Sequence, residues 1–206
     1  MSAQRLHALA ERLFKILSSP DFLAMKGLAN EVPIFIQAYE PVQEIGVRQM
    51  VDGLTGRMRS KGLVVKTLDL FTLVLEELEA HDLLNDIMEN EAIWEKIELF
   101  ETLRNYSDPK THLIPRLMKA IGDDTQITLL TGVGRVYPFL RTHTILESLQ
   151  PAMLPHPVVM FFPGEYTQEM GGGSHLRLFG THPSPRIHNP YYRALNLDHY
   201  RLADTR

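Results

Sequence analysis

One turn of the sequence combines residue types and spacing that could do chemistry. In Thr131-Gly132-Val133-Gly134-Arg135, two glycines flank one residue between an apolar run and a helical pattern. Backbone N–H groups in such a turn can face an anion, with the positive end of the next helix behind them. A phosphate loop needs G-x-x-x-x-G-K-[ST], and no Lys-Ser or Lys-Thr pair follows these glycines. Lys66-Thr67 lies inside an apolar strand pattern and lacks the preceding glycines. A dinucleotide fingerprint needs a third glycine, and position 137 is Tyr. Two readings follow. One is a nucleotide site on Gly132, Gly134 and Arg135, with Asp69 or Glu40 near a metal or ribose. The other is a tight strand-to-helix turn, which asks less of the residues present. A nuclease built on Glu40 and Asp69 lacks a lysine to complete a metal-dependent set.

Other reactive side chains form no recognisable set. There are nine histidines, and His143, His156, His175, His182, His188 and His199 crowd the last third of the chain. None shows H-E-x-x-H or another metal-ligand spacing, so no metal is expected. Ser174 follows three glycines but not in the G-x-S-x-G form of a nucleophile elbow. The absence of cysteine removes thiol nucleophiles, zinc ribbons, iron–sulfur clusters and disulfide frameworks. The residues predict neither an enzyme nor a cofactor.

The elements that must position the turn read as one α/β domain over residues 1–206, with a largely parallel sheet flanked by helices and a degenerate nucleotide-fold character. Residues 3–17 carry Leu6, Leu9, Leu13, Ile16 and Leu17 at helical spacing. Residues 33–39 form a buried strand, 41–61 a helix stopped by Gly62, and 63–69 a second strand. That β–α–β order marks a parallel pair. A helical insertion, expected as three helices, covers about 70–121. Strands follow at 126–131 and 157–162, with a helix from Pro138 to about Leu149 between them. Pro163-Gly164 is expected to turn the chain before a short strand at 176–179. In open parallel sheets ligands bind beyond the carboxyl ends of the strands. Glu40, Asp69, 132–135 and 164–166 fall there. No apolar run is long enough to span a membrane, no signal sequence appears at the N-terminus, and a cytoplasmic protein is expected.

Two segments suggest partners. Residues 76–101 hold ten acids (Glu76, Glu77, Glu79, Asp82, Asp86, Glu89, Glu91, Glu95, Glu98 and Glu101) against one base, Lys96. Leu83, Leu84, Ile87, Ile93, Trp94, Ile97 and Phe100 there are expected to form a packed face. The acids make either a solvated face or a surface for a basic protein, with Glu89, Glu91 and Glu95 as its centre. The tail interleaves Arg177, Arg186, Arg193, Arg201 and Arg206 with Tyr191, Tyr192 and Tyr200. Tyrosine and arginine are enriched at protein interfaces, and Tyr191, Tyr192 and Arg193 are the residues expected there. The net charge of −4 argues against direct, sequence-specific DNA binding.

An ordered set of short motifs resembles the BrxB family of bacterial BREX phage-defence systems. The set runs through Thr131-Gly132-Val133-Gly134, Tyr137-Pro138-Phe139-Leu140-Arg141, and 158–166 with its Phe-Pro-Gly-x-Tyr. It ends with Leu176-Arg177-Leu178-Phe179-Gly180 and Asn189-Pro190-Tyr191-Tyr192-Arg193-Ala194. The likeness is strongest over 126–198 and extends loosely to Tyr39-Glu40-Pro41, Glu44 and Asp69. It implies a role in phage restriction and the accompanying host-DNA methylation, beside PglZ, a methyltransferase and a large ATPase. It carries over no catalytic activity. An adaptor that binds PglZ, or the large ATPase, is the function the resemblance implies. A nucleotide-binding regulator is the alternative.

Overall fold

The computed structural model describes residues 3–28, 32–152, 154–168, 174–180 and 194–202. The N-terminal helices are α1 (Ala3–Leu17) and the single turn α2 (Pro20–Leu23), which Ser19 caps by accepting from the Phe22 amide. Strand β1 (Ile34–Tyr39) leads through a 3-10 turn into α3 (Glu44–Ser60) and β2 (Val65–Asp69). The insertion holds α4 (Leu70–Ala80), α5 (Leu84–Asn90), α6 (Lys96–Tyr106), a π turn at Pro109–Leu113 and α7 (Ile114–Ile121). It therefore has four α-helices where three were expected. The extra break falls after Asn90, where no proline or glycine marks the sequence. Strand β3 (Ile127–Thr131), α8 (Thr142–Leu149), β4 (Val158–Gln168), β5 (Ser174–Leu178) and β6 (Leu195–Asn196) complete the chain.

The strands run in the order β2-β3-β4-β1-β6, all parallel. Among the described strands β5 alone is antiparallel, pairing with the far end of β4. β4 shows why the sheet reads as a continuous apolar run. Val158, Met160 and Phe162 face a core shared with α4, α7 and α8. Val159 and Phe161 face the other core, under α1 and α3. Successive side chains alternate between faces, and both faces are covered by helices.

Three expectations are corrected. Pro163-Gly164 does not turn the chain; β4 runs straight through it and Gly164 pairs with Leu178. A Cβ at Gly164 would lie 2.1 Å from the Arg177 carbonyl oxygen, so the glycine serves strand approach. The helix expected from Pro138 begins at Thr142, after a cis Tyr137-Pro138 bond and a turn. A short last strand, β6, pairs with β1 beyond the expected elements. The tail is tied down behind it. Arg12 donates to the Leu197 carbonyl, the Gln37 side chain and Asp198 at 3.1, 2.7 and 2.6 Å. Tyr200, partly buried, packs edge-on against Phe22 and Phe35. No described helix is long and apolar enough to cross a membrane.

Candidate functional site

The carboxyl ends of β2 and β3 bring Asp69, Thr131, Gly132 and Arg135 together, as the strand pattern implies. Asp69 ends β2 and caps α4, accepting from the Thr72 amide at 3.0 Å and the Thr72 hydroxyl at 3.3 Å. Its other oxygen accepts from Thr131 Oγ1 at 3.0 Å and from the Arg135 guanidinium. The Arg135 guanidinium also lies 5.4 Å from the Phe71 ring centroid. Gly132 has φ +80°, and a Cβ there would sit 2.8 Å from Asp69 Oδ2. Only glycine fits both that backbone and that approach. Gly134 gives close packing instead, since its missing Cβ would meet Pro163 at 3.0 Å and the Phe179 ring at 3.1 Å. The turn is thus filled from within by Asp69.

The carboxyl end of β1, across β4 from β3, adds a second polar pair. Tyr39 closes β1 and its hydroxyl donates to Glu44 Oε2. Burial, reinforced by the Glu44 carboxylate, pushes the Tyr39 hydroxyl well above its ordinary value; the nearby Arg135 charge acts the other way. Glu44 Oε1 and Arg135 Nε are buried with no hydrogen-bond partner among the described residues. A cleft of about 190 Å³ opens at Asp69, lined by Arg48, Val51, Asp52, Thr67, Asp69 and Thr131. That is below the roughly 300 Å³ at which small-molecule pockets usually begin. Glu40 is exposed at the strand end.

The acidic segment forms an arm of α5 and α6. Glu89, Glu91 and Glu95 are exposed on it. The packed face expected there is only half present. Ile87 is buried, and Leu83, Leu84 and Trp94 pack against the core. Met88, Ile93 and Ile97 stand in solvent, at 71%, 80% and 66% exposure. Periodicity signals which residues are apolar, but not whether the arm is covered by the rest of its own chain. Tyr191, Tyr192 and Arg193 lie outside the described residues.

One of the ten acids is buried rather than solvent-facing. Glu77 is buried at the base of α4, where its Oε1 accepts from His112 Nδ1 at 2.8 Å and its Oε2 from Arg116 Nε. Burial alone would raise its carboxyl; the hydrogen bonds and charges of Arg116 and His112 outweigh burial and hold it below its ordinary value. His81 Nδ1 lies 3.6 Å from the same oxygen. The Glu77/His81 pair, four apart on one helix face, was available in the sequence. His112 and Arg116, more than thirty positions on, were not placed beside it by any local pattern.

A two-faced, largely parallel sheet with a polar cluster at its strand ends and a four-helix insertion after β2 defines an α/β scaffold. The chain belongs to the BrxB family: the family model for BREX protein BrxB matches residues 66–197. It is 32% identical over 193 residues to a BREX protein BrxB from Bacillus cereus (strain H3081.97), covering 91% of this chain and 96% of that protein. It is 26% identical to a BREX protein BrxB from Escherichia coli O9:H4 (strain HS), over 71% of this chain and 72% of that one. No solved structure matches the chain.

Proposed function

We propose that this chain serves BREX phage defence as a non-catalytic cytoplasmic adaptor, docking a larger subunit in support of restriction and host-DNA methylation. PglZ is the partner named first and the large BREX ATPase second. Membership of the BrxB family supports the system. The observation that carries the adaptor reading is the arm, where Met88, Ile93 and Ile97 stand exposed among Glu89, Glu91 and Glu95. Exposed apolar side chains clustered within a charged rim are the composition of a protein contact. The acids call for a partner patch rimmed by lysine and arginine.

The test is a pull-down of PglZ by the full chain, with circular dichroism to confirm folding. Reversing Glu89, Glu91 and Glu95 to lysine should weaken capture mainly at low salt, as rim charges do. Changing Ile93 and Ile97 to serine should weaken it at any salt, by about 2 kcal/mol or more if they are central anchors. Retention of no BREX subunit at micromolar concentration by the folded wild type would end the adaptor reading.

The nucleotide-regulator reading keeps one observation in its favour, the unpartnered Arg135 Nε and Glu44 Oε1. A thermal-shift screen with ATP, GTP and magnesium separates the two. A ligand at 100 times its dissociation constant would stabilise the chain by about 2.7 kcal/mol. The adaptor reading expects no shift.

A further inference from the structure

The buried carboxylate at the root of the arm has company that neither the sheet-edge site nor the docking surface uses. Glu77 on α4 and His81 at the C-cap of that helix lie one turn apart, and the π turn after α6 brings His112 against them. One ligand atom from each lies within 4.8 Å of the other two. We propose that Glu77, His81 and His112 form a binding site for a single divalent transition-metal ion, with zinc as the occupant.

The donor set has the right chemistry. Two imidazoles and one carboxylate are a known three-ligand set for zinc, with water completing the tetrahedron. Nitrogen donors select zinc and its neighbours over magnesium and calcium, which prefer oxygen alone. Two of the three donor separations are close to what the ion needs, and the third, between the two rings, is within 4.8 Å. Two bonds of about 2.0–2.1 Å meeting at a tetrahedral angle place their donor atoms roughly 3.3 Å apart. The His81 Nδ1 to Glu77 Oε1 distance is 3.6 Å, and the His112 Nδ1 to Glu77 Oε1 distance is 2.8 Å. A shift of about half an ångström in the His112 ring opens the second to the required chord.

The surroundings hold the ligands in place. Arg116 binds Glu77 Oε2 and so aims Oε1 at the two rings. Asp108 accepts from the Lys110 and Thr111 amides and the Thr111 hydroxyl, which fixes the π turn that carries His112. Tyr106 packs against both rings, at 4.9 and 5.6 Å between centroids. The His81 side chain is 40% exposed, which leaves a way in and a place for water.

The exchange balances in protons. In the metal-free chain His112 Nδ1 donates to the Glu77 carboxylate and His81 Nδ1 faces the Glu77 carbonyl oxygen at 2.9 Å. Ligation through Nδ1 requires the tautomer with the proton on Nε2, reached by exchange with water. A ring that was protonated on both nitrogens releases one proton to solvent, so affinity falls in acid.

The experiment is a zinc titration of the full chain, stripped with chelator and read against a chromophoric competitor, with cobalt(II) spectra as a second readout. One equivalent of zinc should bind, and cobalt should give the intense visible bands of a four-coordinate ion. His81→Gln and His112→Gln should each weaken zinc at least about tenfold, since even outer-shell losses cost roughly 10–100-fold. Changing His182 and His188 to Gln should leave affinity unchanged. If His112→Gln does not fold, His81→Gln, on the exposed ring, decides alone. Absence of zinc uptake overturns the proposal. So does uptake that survives in the folded His81→Gln chain or is lost with the tail histidines.

Discussion

The turn after β3 and the arm after α4 treat exposed chemistry in opposite ways. At the turn, Asp69 gathers its neighbours inside the chain: Arg135 rests on it, and it also takes Thr131 and the start of α4, while Arg135 Nε keeps no partner among the described residues. On the arm, Met88, Ile93 and Ile97 stand in water beside carboxylates. The first arrangement makes the sheet edge rigid and leaves little for a ligand to gain. The second leaves apolar area whose burial another protein could supply, at about 25 cal/mol per Å². The same fold thus keeps a glycine loop of nucleotide-binding appearance as an internal joint, and carries its open surface on an insertion.

The largest expected effect falls on the joint. Gly132→Val places a β-branched residue at φ +80° with its Cβ 2.8 Å from Asp69 Oδ2. A strained φ costs about 1–3 kcal/mol, and displacing the carboxylate adds the loss of a helix cap, roughly 1 kcal/mol. Urea denaturation should therefore show at least about 2 kcal/mol of destabilisation. An unchanged midpoint would show that the turn is not held by its glycine.

Next in size is the coupling between Asp69 and Arg135. Both side chains are partly buried, at 18% and 31% exposure, and in direct contact. A double-mutant cycle with Asp69→Asn and Arg135→Gln should return a coupling of about 1 kcal/mol or more, within the range for contacting residues. Additive effects would mean that the pair does no structural service, and would return Arg135 to the candidate anion ligands.

These residues show how far the sequence could be read. Asp69, Gly132 and Arg135 were placed together because strand ends in a parallel sheet share one edge, a rule that works without coordinates. The two-faced burial of β1 was legible in the apolar run at 33–39, with Ile34 and Ile36 in one core and Phe35 and Tyr39 in the other. The internal filling of the turn was not, because it depends on where one carboxylate points. Pro163-Gly164 misled, since the pair signals a turn locally while its β5 partner holds it in a strand. Glu77 was counted as a surface acid because its partners His112 and Arg116 arrive only through the folding of the insertion.

A pH dependence is expected in the body of the sheet. His156 is buried, with Nε2 against the Thr128 hydroxyl at 2.8 Å. Burial lowers its pKa from the ordinary 6.5. The folded chain thus favours the neutral ring, and the unfolded chain takes up the proton first. The contribution is fully present above pH 6.5 and is lost as pH falls from there through the lower folded value. Between pH 7.5 and 5.5, stability should decline more steeply in the wild type than in His156→Gln. Equal slopes would show that the ring titrates as though in water. His143, also lowered by burial, shares the window and should be changed to Gln in a parallel control.

The smallest expected effect is the one that most sharpens the contrast. Ile93→Ser and Ile97→Ser remove apolar groups from side chains that are already 80% and 66% exposed. Folding transfers little of their surface out of water, so little transfer energy is lost with them. Surface substitutions of this kind usually stay within about 0.5 kcal/mol. Each variant should therefore melt within a degree or two of the wild type, given that 1 kcal/mol moves a domain of this size by roughly 2–4 °C. Ile87→Ser, on α5 and only 8% exposed, should cost far more, because it opens a cavity and buries a hydroxyl. The two outcomes together separate arm residues that hold the fold from those that do not. If Ile93→Ser proves as costly as Ile87→Ser, Ile93 is packed within the chain itself. The arm then loses the exposed apolar surface on which docking depends, and the contrast with the turn disappears.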